Sequence, residues 1–213
     1  MKYSHLIFDI DGTLIDTERT GVLSLQKTIR DLMGKDMPYD EVYPYFGIPS
    51  HRVGPMLGYE DDNLFLHTWE QNFIDMRYMM KIFPDVVEML EEFREQGIVM
   101  GVATSRSHFE LYEDPAFATI KHLFEIFVSS EDTVKHKPDP DPALEFIRQA
   151  SVKAGREVKA EECLYLGDTA HDFSCARGAG CDFALADWKK RGMQGIDAEY
   201  HFTDVDGIRR IVL

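Results

Sequence analysis

The sequence predicts a doubly wound α/β fold, in which a mostly parallel sheet carries helices on both of its faces. Helical patterns lie between several short apolar runs, and strands that alternate with helices of this length form right-handed βαβ crossovers. The runs have the length of buried central strands, and they cover residues 5–8, 98–103, 124–128, 163–166 and 183–186.

Two helices between the strands are predicted with clear boundaries. The segment 84–96 places Pro84 in its first turn and has Gly97 directly after it, which are common signals for the start and end of a helix. Its apolar residues recur at helical spacing, at Val86, Val87, Leu90 and Phe93. A second helix is predicted to begin at Asp141-Pro142 with the same kind of N-terminal signal.

One long segment breaks the alternation of strands and helices. Residues 17–82 contain no convincing strand, but they carry two apolar stripes at helical spacing, the second after a predicted N-cap at Asp61 or Asp62. Packing between helices explains such stripes, and a groove for a cofactor or a lipid is the alternative. We therefore expect an α/β core over 1–16 and 83–213, with an inserted helical domain over 17–82.

Composition and charge exclude several classes of function. The 213 residues include 23 Lys and Arg against 38 Asp and Glu, and the net charge of −15 would repel nucleic acids and anionic membrane surfaces. The three cysteines form an odd set without a Cys-x-x-Cys spacing, which favours neither a disulfide framework nor a zinc knuckle. No apolar run approaches the roughly 18 residues of a membrane helix. We expect a cytoplasmic protein that is a monomer or a weak dimer.

Acidic residues follow two of the predicted strands at the point where each strand ends. Asp9 and Asp11 come directly after the first strand, and Asp168 and Asp172 come after the fourth. Open α/β sheets bind their ligands at the carboxyl ends of the strands. Carboxylate oxygens suit Mg²⁺, which keeps several waters that a phosphate can displace. Four carboxylates in one site would raise one another's pKa, so this hypothesis requires a cation.

Polar and basic residues follow two further elements. Thr104 ends the second strand, and Lys137 stands beside Pro138 shortly before a helix. Taken alone, Thr104 also fits a helix N-cap, and Lys137 also fits an ordinary surface lysine. Arg106 and His108 could reach a substrate, or they could be solvated residues at the start of a helix.

The order of these signals resembles the motif order of the haloacid dehalogenase (HAD) superfamily, and the resemblance covers almost the whole chain. It implies a Rossmann-like core, and the inserted helical segment resembles the C1 cap of phosphoglycolate phosphatases, pyrophosphatases and sugar-phosphate phosphatases. The four motifs are matched, in order, by Asp9 to Thr13, by Thr104, by Lys137 with Pro138, and by Gly167-Asp168 with Asp172.

The resemblance implies a Mg²⁺-dependent phosphatase that hydrolyses a small, soluble phosphomonoester. Asp9 would be the nucleophile that forms an aspartyl-phosphate, and Asp11 would be the general acid and then the general base. Mg²⁺ would be held by Asp9, Asp168 and the backbone carbonyl of Asp11. Asp172 belongs to the same group of metal-site residues, and it would hold the direct ligands in position.

Further residues are expected to bind the phosphoryl group or the rest of the substrate. Thr104 and Ser105 would donate hydrogen bonds to phosphoryl oxygens, and Lys137 would bridge the phosphate and the nucleophile. On the inserted domain, His51 and Arg52 are the best candidates for substrate contact, because loops carry specificity.

Three alternatives to this phosphatase stay open at this point. β-Phosphoglucomutases carry a histidine shortly after the Asp-Thr of the first motif, whereas Asp16-Thr17 is followed here by Glu18-Arg19-Thr20-Gly21, which weakens the phosphomutase interpretation. A pyrophosphatase is the second alternative. A non-catalytic binding module is the third, and it is disfavoured because all the motif residues are present.

Overall fold

The computed structural model describes residues 2–46, 48, 50–192 and 195–213, with His51 described by its backbone alone. The chain divides into two compact units. The core unit comprises Met1–Ile15 and Ile82–Leu213, and the helical unit comprises Asp16–Lys81. The identification of the helical unit as a C1 cap stays a prediction.

The core unit is built on a six-stranded parallel sheet. The strands of the chain, in order, are β1 (His5–Phe8), β2 (Ile15–Asp16), β3 (Lys81–Ile82), β4 (Val99–Ala103), β5 (Ile126–Val128), β6 (Cys163–Gly167), β7 (Asp182–Ala186) and β8 (Tyr200–Phe202). The large sheet has the order β5-β4-β1-β6-β7-β8, and its neighbouring strands pair in parallel. Counted along the chain, this is the doubly wound order 3-2-1-4-5-6, so the predicted fold class is confirmed.

Helices connect the strands of the large sheet and form most of the helical unit. In chain order they are α1 (Glu18–Met33), α2 (Tyr39–Val42), α3 (Ser50–Met56), α4 (Asp62–Met76), α5 (Val86–Glu95), α6 (His108–Tyr112), α7 (Pro115–Ile120), α8 (Asp141–Ala154), α9 (Ala170–Ala179) and α10 (Val205–Val212). Among the residues that the structure describes, none of these helices combines the length and the apolar character that crossing a membrane requires.

Several predicted boundaries differ from those in the structure. The predicted helix 84–96 begins later, at Val86, because Asp85 takes the left-handed conformation (φ 64°) and cannot belong to a helix. A short strand, Lys81–Ile82, lies inside the segment predicted to contain none, and it pairs with β2. The strand Tyr200–Phe202 was not predicted, because this three-residue edge strand is not fully buried and has no continuous apolar run.

A glycine lets the sheet of the core unit approach helix α8 closely. Side chains of β1, β6 and β7 that point to this face, Ile7, Tyr165 and Phe183, are fully buried with Phe146 of α8. A Cβ at Gly101 of β4 would lie 2.4 Å from the backbone oxygen of Ile126 and 2.6 Å from Cε2 of Phe146. Because Gly101 has no side chain, the Phe146 ring packs directly against the sheet.

The helical unit has its own core between α1 and α4. Val22, Leu25 and Ile29 of α1 are fully buried together with Phe65 of α4, so this apolar stripe packs between helices as predicted. The N-cap of α4 is Asp61, whose carboxylate accepts a hydrogen bond from the N–H of Leu64 over 3.0 Å.

We predict that Phe146→Ala destabilises the core unit by about 3 to 5 kcal/mol, because it removes a fully buried ring beside a glycine that cannot fill the space. Leu144→Ala on the same helix is the matched control. The Leu144 side chain is 46% exposed, so its truncation should change the free energy of unfolding by less than about 0.5 kcal/mol. Chemical denaturation of both variants measures the difference, and equal losses would contradict this packing.

Candidate active site

Three strands of the core sheet end side by side at one edge of the sheet. Strand β1 lies between β4 and β6, and Phe8 is in register with Val102 on one side and with Leu166 on the other. The next residues along the chain are Asp9 after β1, Thr104 after β4 and Asp168 after β6. The structure therefore brings residues from the first, second and fourth predicted motifs to the same edge.

Two glycines make room for the carboxylates at this edge. Gly12 has a φ of 83°, and a Cβ there would lie 2.1 Å from Oδ2 of Asp168. Gly167 ends β6, and a Cβ there would lie 2.4 Å from Cβ of Asp172. The glycines of the first and fourth motifs are thus required by the close approach of acidic side chains from another segment or turn.

Three carboxylates form a cluster, in which Asp9 and Asp172 are buried and Asp168 is partly buried. One oxygen from each of Asp9, Asp168 and Asp172 lies within 4.8 Å of the others. Burial, together with the charges of Asp172 and Asp11, raises the pKa of Asp9 to about 7 although Lys137 lowers it. Burial and the charges of Asp9 and Asp172 also raise the pKa of Asp168 well above its ordinary value.

The cluster fits a hard divalent cation. Oδ1 of Asp168 is buried and has no hydrogen-bond partner among the residues that the structure describes. Buried polar atoms normally have a partner, so an acceptor left in this state beside two other carboxylates is suited to metal coordination. Asp9 and Asp168 supply oxygen donors of the kind that Mg²⁺ prefers.

Lys137 supplies the positive charge inside the cluster. Its Nζ donates one hydrogen bond to Oδ1 of Asp9 and another, over 2.7 Å, to Oδ1 of Asp172. Burial opposes the charge of this lysine, but Asp172 and Asp9 outweigh it and raise the pKa of Lys137 well above its ordinary value. The side chain is 5% exposed, so the interpretation of Lys137 as an ordinary surface lysine is wrong.

Asp172 is held by the start of helix α9. Its Oδ2 accepts hydrogen bonds from the backbone N–H and the hydroxyl of the N-cap residue Thr169. Its Oδ1 accepts from Lys137 and, over 3.4 Å, from the hydroxyl of Tyr165. Because both oxygens already accept hydrogen bonds, the position of Asp172 suits the supporting role expected of it better than direct metal coordination.

Thr104 and Ser105 follow β4 at the same sheet edge. Thr104 is buried, and its N–H donates to the backbone oxygen of Val128 over 2.9 Å. The N-cap of the following helix is Ser107, which forms a capping box with Glu110, so the N-cap interpretation of Thr104 is wrong. Ser105 is exposed, and the contacts of both residues with a phosphoryl group stay predictions.

Asp11 does not join the carboxylate cluster. Its side chain is 40% exposed and pairs with Arg106, whose Nε donates to Oδ2 over 2.9 Å and whose Nη2 donates to Oδ1 over 2.8 Å. The structure therefore groups three of the four predicted carboxylates. The implied metal contact of Asp11 through its backbone carbonyl stays a prediction.

Arg106 is a residue of the site whose role the sequence left open. It is 7% exposed, so the interpretation as a solvated residue at a helix start is wrong. Nothing in the local pattern links Arg106 to Asp11, which lies 95 residues earlier in the chain.

The remaining predicted substrate residues belong to the helical unit. His51 and Arg52 lie on α3, and Arg52 is exposed. The side chain of His51 lies outside what the structure describes. Contact of these residues with a substrate stays a prediction.

Comparisons with known proteins agree with the motif order. The family model described as haloacid dehalogenase-like hydrolase matches residues 6–186. A protein of Caldanaerobacter subterraneus subsp. tengcongensis, provisionally named pyrophosphatase PpaX, is 33% identical over 191 residues, which cover 88% of this chain and 83% of the relative.

Solved structures share the fold over the whole chain. A protein from Lactobacillus plantarum, provisionally named phosphoglycolate phosphatase, superposes with a TM-score of 0.83 at 22% identity and covers 100% of both chains. A protein from Thermotoga maritima, provisionally named β-phosphoglucomutase, also has a TM-score of 0.83, at 20% identity, and the match covers 99% of this chain and 100% of that one. With its family model matched from β1 to the end of β7, this chain belongs to the haloacid dehalogenase-like hydrolases, as its motifs predicted.

Proposed function

We propose that this hydrolase, a phosphatase of the HAD family, cleaves a small, soluble phosphomonoester through an aspartyl-phosphate on Asp9 and requires Mg²⁺. The observation that carries the proposal is the carboxylate cluster at the sheet edge, where Lys137 contacts Asp9 beside an oxygen of Asp168 that has no hydrogen-bond partner in the described part of the chain. The names of the relatives, which refer to pyrophosphate, phosphoglycolate and a phosphosugar, support a phosphoryl substrate.

In this proposal the reaction has two displacement steps. A carboxylate oxygen of Asp9 attacks the phosphorus, the bond from phosphorus to the leaving oxygen breaks, and Asp11 gives a proton to that oxygen. Water then attacks the phosphorus of the aspartyl-phosphate while Asp11 accepts its proton, which releases phosphate and restores Asp9. Two displacements with a positioned nucleophile replace one difficult attack by water.

The other residues of the site bind and neutralise the phosphoryl group. Lys137 is already placed against the nucleophile, so its charge acts on the phosphoryl oxygens and on Asp9 together. Thr104 and Ser105 donate hydrogen bonds from the neighbouring strand end. Mg²⁺, held by Asp9, Asp168 and the backbone carbonyl of Asp11, would supply further neutralisation of the charge on the transferring group.

Residues outside the carboxylate cluster are proposed to select the substrate. Contacts from His51 and Arg52 are proposed to distinguish substrates. The cytoplasmic location and the monomeric or weakly dimeric state stay predictions.

Pyrophosphate is the second candidate substrate. It is favoured by the name of the relative from Caldanaerobacter, because that protein is 33% identical over most of both chains. The chemistry at Asp9 is unchanged, since the leaving group is then a second phosphate rather than an alcohol.

A phosphomutase is disfavoured by the start of helix α1. The segment that follows Asp16-Thr17 carries no histidine and ends at Gly21, which is buried. A Cβ at Gly21 would lie 2.5 Å from Cε2 of Phe46, so a larger side chain at this position would have to displace the Phe46 ring. Product analysis with a hexose phosphate and its bisphosphate tests the alternative, because a mutase regenerates a sugar monophosphate and a phosphatase releases phosphate.

We predict that Mg²⁺ at about 100 times its Kd stabilises the protein by about 2.7 kcal/mol, or about 5 to 10 °C in Tm. Asp168→Asn should abolish this gain because it removes a buried ligand. Asp197→Asn, the same change at an exposed aspartate, is the control and should keep it. Thermal unfolding with Mg²⁺ or a chelator measures the effect, and an unchanged gain in Asp168→Asn would contradict the metal site.

The gain in Tm with Mg²⁺ should depend on pH. The folded protein without metal raises the pKa of Asp9 from 3.8 to about 7, so it binds a proton more tightly than the unfolded chain does. The contribution of this proton to the free energy of unfolding is fully present below about pH 4, and it is lost as the pH rises through about 7. The gain in Tm with Mg²⁺ should therefore be larger at pH 8 than at pH 6, whereas a gain that falls over this range would contradict the predicted competition.

We predict that Asp9→Asn lowers the kcat for phosphate release by at least about 10³-fold, because an amide oxygen is a poor nucleophile for this attack. Phosphate release should be screened with Mg²⁺ over phosphomonoesters that include phosphoglycolate, and over pyrophosphate. Asp197→Asn should retain the wild-type rate. Turnover retained in Asp9→Asn would overturn the assignment of the nucleophile.

A further inference from the structure

The guanidinium of Arg106 is buried between two carboxylates of the core unit. Its Nε and Nη2 face both oxygens of Asp11, and its Nη1 donates to Oδ2 of Asp114 over 2.5 Å. Burial opposes the charge, but Asp11 and Asp114 outweigh it and raise the pKa of Arg106. The arginine is therefore a fixed cation that joins the loop after β1 to the turn before α7.

Asp114 is itself anchored to the backbone. Its Oδ1 accepts hydrogen bonds from the N–H groups of Ala116 (2.7 Å) and Phe117 (3.1 Å) at the start of α7, and the residue is 2% exposed. Oδ1 therefore caps the helix, whereas Oδ2 accepts the hydrogen bond from Arg106. The position of the guanidinium is set by the backbone of α7.

The backbone of Arg106 is fixed at the edge of the sheet as well. Its N–H donates to Oγ1 of Thr104 over 3.2 Å, and its carbonyl accepts from the N–H of Ser130 over 2.9 Å. Arg106 is thus held at both ends, by the strand-end backbone and by Asp114. Asp11, in contrast, lies in a turn with a side chain that is 40% exposed.

We propose that Arg106 is a positioning residue for Asp11. The paired N–H groups of the guanidinium fix the plane of the carboxylate as well as its distance, which a single charge cannot do. A carboxylate oxygen has two lone pairs, so an oxygen that accepts a hydrogen bond from the guanidinium can also carry or accept a proton. This inference rests on the proposed function, in which Asp11 delivers a proton to the leaving oxygen.

The leaving group distinguishes this role from a merely structural one. Proton delivery depends on the position of the acid, and it matters most when the leaving oxygen is basic. Loss of positioning should therefore lower kcat/KM for substrates with poor leaving groups and should spare kcat/KM for p-nitrophenyl phosphate, because this constant does not include the later hydrolysis of the aspartyl-phosphate. General loss of structure would slow all substrates by the same factor.

Arg106→Lys is the variant of choice. A lysine keeps a positive charge beside the buried Asp114, but it lacks the paired N–H groups that donate to both oxygens of Asp11. We expect kcat/KM, which reports formation of the aspartyl-phosphate but not its hydrolysis, to fall by about 10- to 100-fold for phenyl phosphate and by less than about 3-fold for p-nitrophenyl phosphate. The slope of log(kcat/KM) against the pKa of the leaving phenol should become steeper over a series of substituted phenyl phosphates. Equal losses on all members of the series would overturn the positioning role.

Two further variants test the same chain of contacts. Asp114→Asn keeps an oxygen for the cap of α7 but loses the charge that holds Nη1, so it should steepen the slope as well. In an Asp11→Asn background, Arg106→Lys should cause no additional steepening, since its effect passes through Asp11. Additional steepening there would show that Arg106 acts on the substrate by another route and would contradict the proposal.

Arg209→Met is the matched control for the loss of an arginine. Arg209 also bridges two carboxylates, Glu92 and Asp206, but it belongs to α10. This variant should leave the slope unchanged. A slope that steepens as much as in Arg106→Lys would mean that the effect is not specific to Arg106.

A crystal structure of Arg106→Lys separates this inference from the proposed function. The carboxylate of Asp11 should be displaced or should occupy more than one position, relative to a wild-type crystal grown under the same conditions. An unmoved Asp11 would overturn the positioning role whatever the enzyme hydrolyses. Failure of the wild type to hydrolyse any phosphoryl substrate would instead overturn the proposed function, and the crystal structures would still decide the role of Arg106.

Discussion

The contact of one buried ammonium group with two buried carboxylates is the interaction on which the site depends. Lys137 lies between Asp9 and Asp172, and all three side chains are less than 10% exposed. Removing such charges from water costs several kcal/mol for each ion, and their mutual attraction offsets this only when the geometry is good. The ion pairs are therefore weak evidence for stability, but they require that the surrounding segments hold each group in place.

The fold meets this requirement with backbone groups. The N-cap of α9 fixes Asp172, and Asp172 in turn fixes Lys137, which fixes one oxygen of Asp9. The register of the three parallel strands β4, β1 and β6 determines where the residues after each strand lie along the strand direction. A doubly wound sheet thus places side chains from distant segments within hydrogen-bond distance of one another.

The two aspartates of the first motif have different environments although they are two residues apart. Asp9 is buried against Lys137, whereas Asp11 is partly exposed and pairs with Arg106. In the proposed function Asp9 is the nucleophile and Asp11 is the acid and base, so the two roles would fall to carboxylates in different surroundings. The turn directs the two side chains toward different cations, Lys137 and Arg106.

The sequence alone predicted the parts of the fold and site that local patterns determine. Apolar runs identified five of the six strands of the large sheet, and the polar residues after them identified Asp9, Thr104 and Asp168 as neighbours, because parallel strands end at one edge. The pairing of Arg106 with Asp11 depends on how distant segments pack, and no local pattern shows it. The edge strand β8 is short and only partly buried, so periodicity does not show it either.

The charges of the site favour a cation beyond those that the chain itself provides. Five carboxylates, Asp9, Asp11, Asp114, Asp168 and Asp172, contact or neighbour two cations, Lys137 and Arg106, and each cation already pairs with two carboxylates. A phosphate dianion would add two more negative charges to a site with an excess of them. Burial raises the pKa of Asp9 and of Asp168, and a proton on Asp9 would lower that excess but would also block its proposed role as the nucleophile. A bound divalent cation would resolve this conflict, because it would favour the ionised form of Asp9 and reverse the local field that a phosphate meets.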